Sequence, residues 1–271
     1  MTEYLRDRVW LWGHPAGAAE GRYAVPSGSQ LTPVEGVHLF GGSNVYFVPW
    51  VTPMDLERTT LAADHLREVG WSVERGRVAS HGDDRDEIDR IHELAARHRV
   101  VGRVVYDDFF GMTEGDEVVL AKPYAGYTPA TVAADRERLH KQGARQLDLW
   151  LVLYSTQQIP DAVPYIQQFD GVCLWFWKES EVADWQARVD RFLAVTEGQR
   201  RQIGVYLYNF GEDRPATPEL VVSQLERCAE LVRSGTIDGF VLHTNVVADV
   251  GLEASTAAQE WMARHGDEMI A

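Results

Sequence analysis

Short β-rich runs alternate with longer segments of helical period along the whole chain, and this alternation leaves few folds open. Strands separated by crossover helices pair in parallel, so the chain must build a parallel sheet, closed or open. The strand candidates are Arg8–Gly13 (RVWLWG), Asn44–Val48 (NVYFV), Trp71–Glu74 (WSVE), Val100–Tyr106 (VVGRVVY), Leu147–Tyr154 (LDLWLVLY), Gly171–Trp177 (GVCLWFW), Ile203–Tyr208 (IGVYLY) and Gly239–His243 (GFVLH). They number eight, at intervals of roughly thirty residues.

The helices between them have recognisable starts. A threonine side chain caps free amides and a proline after it already holds helical φ, and Thr-Pro occurs at Thr32-Pro33, Thr52-Pro53, Thr128-Pro129 and Thr217-Pro218. Glu35 completes a capping box with Thr32, and Ile88, Ile91, Leu94 and Ala95 mark a helical face within Asp84–His98. An open doubly wound sheet would carry a glycine-rich nucleotide turn after its first strand, but Gly13-His14-Pro15-Ala16-Gly17 lacks that spacing. The expectation is therefore one α/β domain over residues 1–271, a single (β/α)8 TIM barrel. Residues 16–30 and 111–127 are long enough to be loops folded over its mouth.

Charge and composition narrow the partners. A formal net charge of -15 without a basic block disfavours nucleic acid and anionic membrane surfaces. The start, MTEYLRDRVW, has charges where a secretory signal needs an apolar run, and no stretch approaches the roughly 18 apolar residues of a membrane span. A cytoplasmic protein is expected. Cys173 and Cys228 lack metal-ligand spacing and read as buried reduced thiols.

In a barrel of this kind, function gathers at the carboxyl ends of the strands. Those ends hold Trp12 and His14; Trp50; Glu74 and Arg75; Asp107 and Asp108; Tyr154 and Gln157; Trp177, Lys178 and Glu179; Tyr208, Asn209, Glu212 and Asp213; and His243 with Asn245. Two adjacent carboxylates after an apolar strand, as in Tyr106-Asp107-Asp108-Phe109-Phe110, are costly unless solvated, paired or coordinating. Strand alternation points only one of the two at the axis; a loop cap or an arginine partner is the plain alternative. In Trp175-Phe176-Trp177-Lys178-Glu179 the period of two places Glu179 on the tryptophan face, where desolvation suits a general acid. The competing reading makes Glu179 an acidic neighbour of a helix start capped by Ser180. Seven of the nine tryptophans, Trp10, Trp12, Trp50, Trp71, Trp150, Trp175 and Trp177, lie in or just beyond strands. Flat apolar faces beside carboxylates suit a sugar, although packing between barrel and helices accounts for some of them. His14 and His243 face each other across the closure, as proton carriers or as satisfied polar groups.

This arrangement resembles barrel glycoside hydrolases in which a carboxylate after strand four is the nucleophile and one after strand six the acid/base. The run as a whole resembles uncharacterised bacterial barrel proteins of that plan. The likeness covers the barrel and two strand ends, and it implies Asp107, Asp108 and Glu179 as catalytic residues. It also implies a small-molecule sugar or glycoside partner met by Trp12, His14, Trp50, Glu74, Tyr154, Trp175, Trp177, Tyr208, Asn209 and His243, with no cofactor. Glu212 or Asp213 offers a second hydrolase pairing. Two other classes stay open. A metal-dependent sugar isomerase, epimerase or lyase would hold a divalent ion with Glu74, Asp107 or Asp108, and His243. A sugar-binding barrel would keep the aromatics and do no chemistry. Lys178 has the position of a Schiff-base lysine, but alternation turns it from the axis if Trp177 points in.

Overall fold

The structure is a computed structural model describing residues 2–50, 52–73, 87–111, 123–124, 126–143 and 145–270. Eight parallel strands close into a barrel in chain order, with the last strand beside the first. They are β1 (Val9–Gly13), β2 (Asn44–Phe47), β3 (Glu68–Ser72), β4 (Val101–Tyr106), β5 (Asp148–Tyr154), β6 (Gly171–Trp175), β7 (Arg200–Tyr206) and β8 (Gly239–His243). Phe240 registers with Val9 and His243 with Trp12 to close the ring. The (β/α)8 barrel read from the alternation is thus the fold. No described helix is long and apolar enough to cross a membrane.

Helices α1 (Pro33–Leu39), α2 (Leu56–Ala62), α3 (Glu87–Arg97), α4 (Pro129–Lys141), α5 (Val163–Ile166), α6 (Glu179–Val182), α7 (Trp185–Val195), α8 (Pro218–Arg233) and α9 (Glu253–His265) form the outer layer. Thr32, Thr128 and Thr217 cap α1, α4 and α8, Thr32 in a reciprocal capping box with Glu35. Thr52-Pro53 starts no helix. The Asp55 carboxylate, which also favours the helix dipole, accepts from Arg58 N at 2.8 Å and starts α2 three residues later.

Two strands begin earlier than the β-rich runs suggested. β3 opens at Glu68 rather than Trp71, and β7 at Arg200 rather than Ile203. The cause lies inside the barrel, whose lower half is polar. Arg103 is buried between the rings of Trp10 and Trp150, 3.9 and 4.5 Å from their centroids. Its Nε and Nη2 donate to the two Glu68 carboxylate oxygens, each at 2.8 Å. Nη1 donates to the Tyr46 hydroxyl at 3.0 Å, which donates to Gln202 Oε1 at 2.8 Å. Burial opposes the charge on Arg103, but Tyr46 and Glu68 outweigh it and hold the guanidinium pKa above its ordinary value.

The strand tryptophans divide by this geometry. Trp10, Trp12, Trp150 and Trp175 fill the interior, whereas Trp71 faces outward onto Phe47 and donates to the Thr60 hydroxyl at 3.0 Å. Packing between barrel and helices therefore accounts for one of the seven, fewer than the residue pattern allowed. Room for such rings comes from glycines on neighbouring strands. Gly70 stands level with Tyr46 and Gly171 with Trp150. A Cβ on Gly204 would meet the Trp175 ring at 2.0 Å.

The alanine variant of Gly204 is expected to lose roughly 1–3 kcal/mol, because an added methyl in a packed core forces rings off their rotamers. Its thermal midpoint, read by circular dichroism, falls by about 2–4 °C for each kcal/mol lost. An unchanged midpoint would show that the interior repacks freely.

Candidate active site

A cavity opens at the carboxyl ends of the strands, about 650 Å³ counting the space continuous with solvent. Trp12 and Trp175 form part of its lining, packed edge to face at 5.5 Å. Tyr23 and Trp50 stack at 6.0 Å, and the Trp177 ring meets Tyr154 at 5.9 Å. Into this aromatic cup project Asp107, Asp108, His14 and His243.

The local sequence explains how two adjacent acids both reach the cavity. Tyr106 ends β4 facing outward, where its hydroxyl donates to Asp135 at 2.7 Å. Asp107 follows on the inward side. Asp108 then leaves the strand with φ of 49°, a left-handed turn that aspartate tolerates, and the chain reverses. Phe109 and Phe110 plunge back into the outer core. The alternation that pointed only one carboxylate inward thus ends at Asp107, and both line the cavity. The Tyr154 hydroxyl donates to Asp108 Oδ1 at 2.9 Å, and the Tyr124 hydroxyl donates to the Asp107 carbonyl. Gln157 ties the same turn to β5: its amide donates to Gly111 O at 3.0 Å and accepts from Tyr154 N at 3.0 Å.

Burial first, and then the nearby Asp108, raise the pKa values of Tyr154 and Tyr206 well above the ordinary phenol value. Both stay protonated hydroxyls at any working pH. Burial also depresses the two imidazoles, His14 to a pKa of about 4 and His243 well below its usual range. Their rings stand 5.5 Å apart, as the closure of the barrel predicted. His14 Nδ1 lies 3.0 Å from the Val48 carbonyl, which can only accept, so the proton sits on Nδ1 and Nε2 keeps its lone pair. Asn245 holds the backbone of His14, accepting from its N–H at 2.8 Å and donating to its carbonyl at 2.9 Å.

Three expected site residues, Glu179, Asn209 and Tyr208, lie elsewhere. The strand alternation invoked for Glu179 stops at Trp175; Glu179 opens α6, is ion-paired with Arg214 at 2.7 Å and lines a separate side pocket, not the cavity. Ser180 does not cap that helix, whose cap position is Lys178. Asn209 lines the same side pocket. Tyr208 follows the end of β7 in a two-residue ladder with Arg214–Pro215, and its hydroxyl braces Tyr23 O at 2.7 Å from below. Glu74 lies outside the described residues, as do residues 112–122 of the second mouth loop. Glu212 pairs with Arg214 at 2.7 Å on the exposed turn of the ladder and does not line the cavity. Tyr23, Tyr206 and Phe210 do line it, unforeseen. Tyr206 shares the inward period of Gln202 and Gly204 and was legible once β7 was placed; Tyr23 comes from a loop and carries no periodic signal.

Among the described residues, three metal-ligand side chains converge only at His140, Asp148 and Asp170. Asp148 and Asp170 sit at the amino-terminal ends of β5 and β6, far from the mouth in strand terms, and Arg200 and Arg136 already engage them.

No family model matches the chain, and no curated protein matches it in sequence. Solved structures do match. A GH113 β-1,4-mannanase aligns over 96% of this chain and 99% of its own, with a TM-score of 0.55 and 12% identity. An endo-β-N-acetylglucosaminidase from Cordyceps militaris aligns over 96% and 90%, with a TM-score of 0.52 and 11% identity. A tryptophan synthase α-subunit from Pyrococcus furiosus aligns over 97% and 98%, with a TM-score of 0.53 and 10% identity. Proteins of such different names on one architecture show that the chain shares the (β/α)8 barrel fold with them.

Proposed function

We propose that the protein is a carbohydrate-active enzyme that hydrolyses a glycosidic bond at Asp107 and Asp108. The observation that carries this reading is the entry of two adjacent carboxylates into a cup walled by indole and phenol rings. A pyranose stacks its C–H face on such rings and offers its hydroxyls to the polar groups between them. His14, neutral with a free Nε2 lone pair, accepts one of those hydroxyls without adding charge.

In the reaction one carboxylic acid protonates the departing glycosidic oxygen as the C–O bond breaks. The other, ionised, steadies the positive charge developing at the anomeric carbon; water then adds to that carbon as its O–H proton passes to the carboxylate that the first step left, restoring the acid. Tyr154 orients Asp108 for this work through its hydrogen bond. Glu179 is not needed as the acid, since Arg214 holds it in the side pocket.

The test is release of nitrophenol from 4-nitrophenyl α- and β-glycosides of glucose, galactose, mannose and N-acetylglucosamine. Turnover of at least one is expected, and it must disappear in the Asp107→Asn, Asp108→Asn double variant. Saturable sugar binding with no turnover of any would replace this reading with that of a binding barrel.

A further inference from the structure

The side pocket next to the cavity has no part in the chemistry above, yet it is built to hold something. It lies among α6, the first turns of α8 and the chain leaving β7, and encloses about 280 Å³ including space open to solvent. Trp177 and Tyr206 line both it and the main cavity, so the two spaces share a wall.

Asn209 is 4% exposed and lines the pocket, and its Oδ1 is buried with no hydrogen-bond partner. Its Nδ2 is committed to Glu179 Oε2 at 3.4 Å. A buried amide oxygen left unpaired is costly, which points to a donor arriving from outside the chain. Arg214 bridges Glu179 and Glu212, each at 2.7 Å, so one guanidinium faces two carboxylates and the cluster keeps a negative charge that disfavours an anionic ligand. Phe176, Val182, Ala216 and Leu220 supply apolar walls, and Gln224 adds a second amide.

We infer that this pocket is a subsite for a second hydroxylated ring, the sugar unit next to the one held in the cavity. The substrate is then a disaccharide or longer. This rests on the glycoside-cleaving reading. One face of the second ring lies on the apolar walls, one hydroxyl donates to Asn209 Oδ1, and another meets the Glu179–Arg214 pair. A hydroxyl fits here better than a carboxylate or phosphate, because Asn209 Oδ1 and Glu179 both ask for a donor.

The experiment compares kcat/KM for 4-nitrophenyl β-glycosides of glucose, mannose and N-acetylglucosamine with their β-1,4-linked disaccharide counterparts. The wild type is expected to favour a disaccharide by about 10-fold or more, carried mainly in KM, the worth of one good hydrogen bond plus ring contact. Leu220→Trp, which fills the pocket from α8, is expected to abolish that preference. Asn209→Ala, a smaller change, is expected to reduce it several-fold. A wild type indifferent to the second unit, or a preference that survives in both variants, would overturn the subsite. If the wild type cleaves nothing, the glycosidase reading fails, and the pocket is judged separately by NMR titration with cellobiose, mannobiose and chitobiose. Binding weakened in both variants supports the subsite; equal binding in all three proteins, or none in any, rejects it.

Discussion

Asparagine at position 108 is expected to lower turnover of the best glycoside by about 100-fold or more, with the far-ultraviolet circular dichroism unchanged. The substitution is close to isosteric. It keeps an oxygen for the Tyr154 hydroxyl and a side chain that tolerates the left-handed backbone, so the turn after β4 survives. Only the capacity to carry a proton or a negative charge is lost. Asp107→Asn is expected to be of similar size, because both acids share one cavity and one bond to break. The two losses should not add, since residues that act as a unit fail together. Wild-type kcat/KM in both single variants would remove Asp107 and Asp108 from the chemistry.

Arg103→Ala is expected to destabilise the fold by about 3–5 kcal/mol, the scale on which buried ion pairs respond when one partner is removed. The change strips both guanidinium bonds to Glu68, the bond to Tyr46 and the cation held between Trp10 and Trp150. It also leaves a void between two indoles. A fall in thermal midpoint on the order of 10 °C should result. Arg103→Lys restores the charge but cannot form the planar fork to both carboxylate oxygens, so only part of the loss should be recovered. An Arg103→Ala protein that melts with the wild type would mean that the polar plug is incidental to the barrel.

That plug also explains which strands were hard to read. Hydrophobic runs mark a strand when both faces are apolar, as in β5 and β6. Glu68 and Gly70 in β3, and Arg200 with Arg201 in β7, look like connecting residues. Glu68 is placed by Arg103 and Gly70 by the Tyr46 ring on a neighbouring strand, whereas Arg200 is held by Asp148 and Arg201 N donates to Asp238. The same limit governs the site. Trp12, Tyr154, Trp175 and His243 stand where strand periodicity put them; His14, Trp50, Trp177 and Asp107 follow just past the strand ends, and Asp108 enters through the turn that alternation did not foresee. Periodicity stops where a strand stops. Glu179 and Tyr208 were assigned by continuing it too far, past Trp175 and past Tyr206. Tyr23 reaches the cavity by a route through the β1–α1 loop that no local pattern encodes.

The backward bend of the chain at Asp108 narrows what evolution can write there. Most side chains are penalised by roughly 1–2 kcal/mol in that conformation, and glycine and asparagine, which escape, are neutral. Among acids, a glutamate would bear that penalty and carry its charge one carbon further along. The backbone therefore favours, on its own, the same short acid that the proposed chemistry asks for, so the two demands converge on one residue.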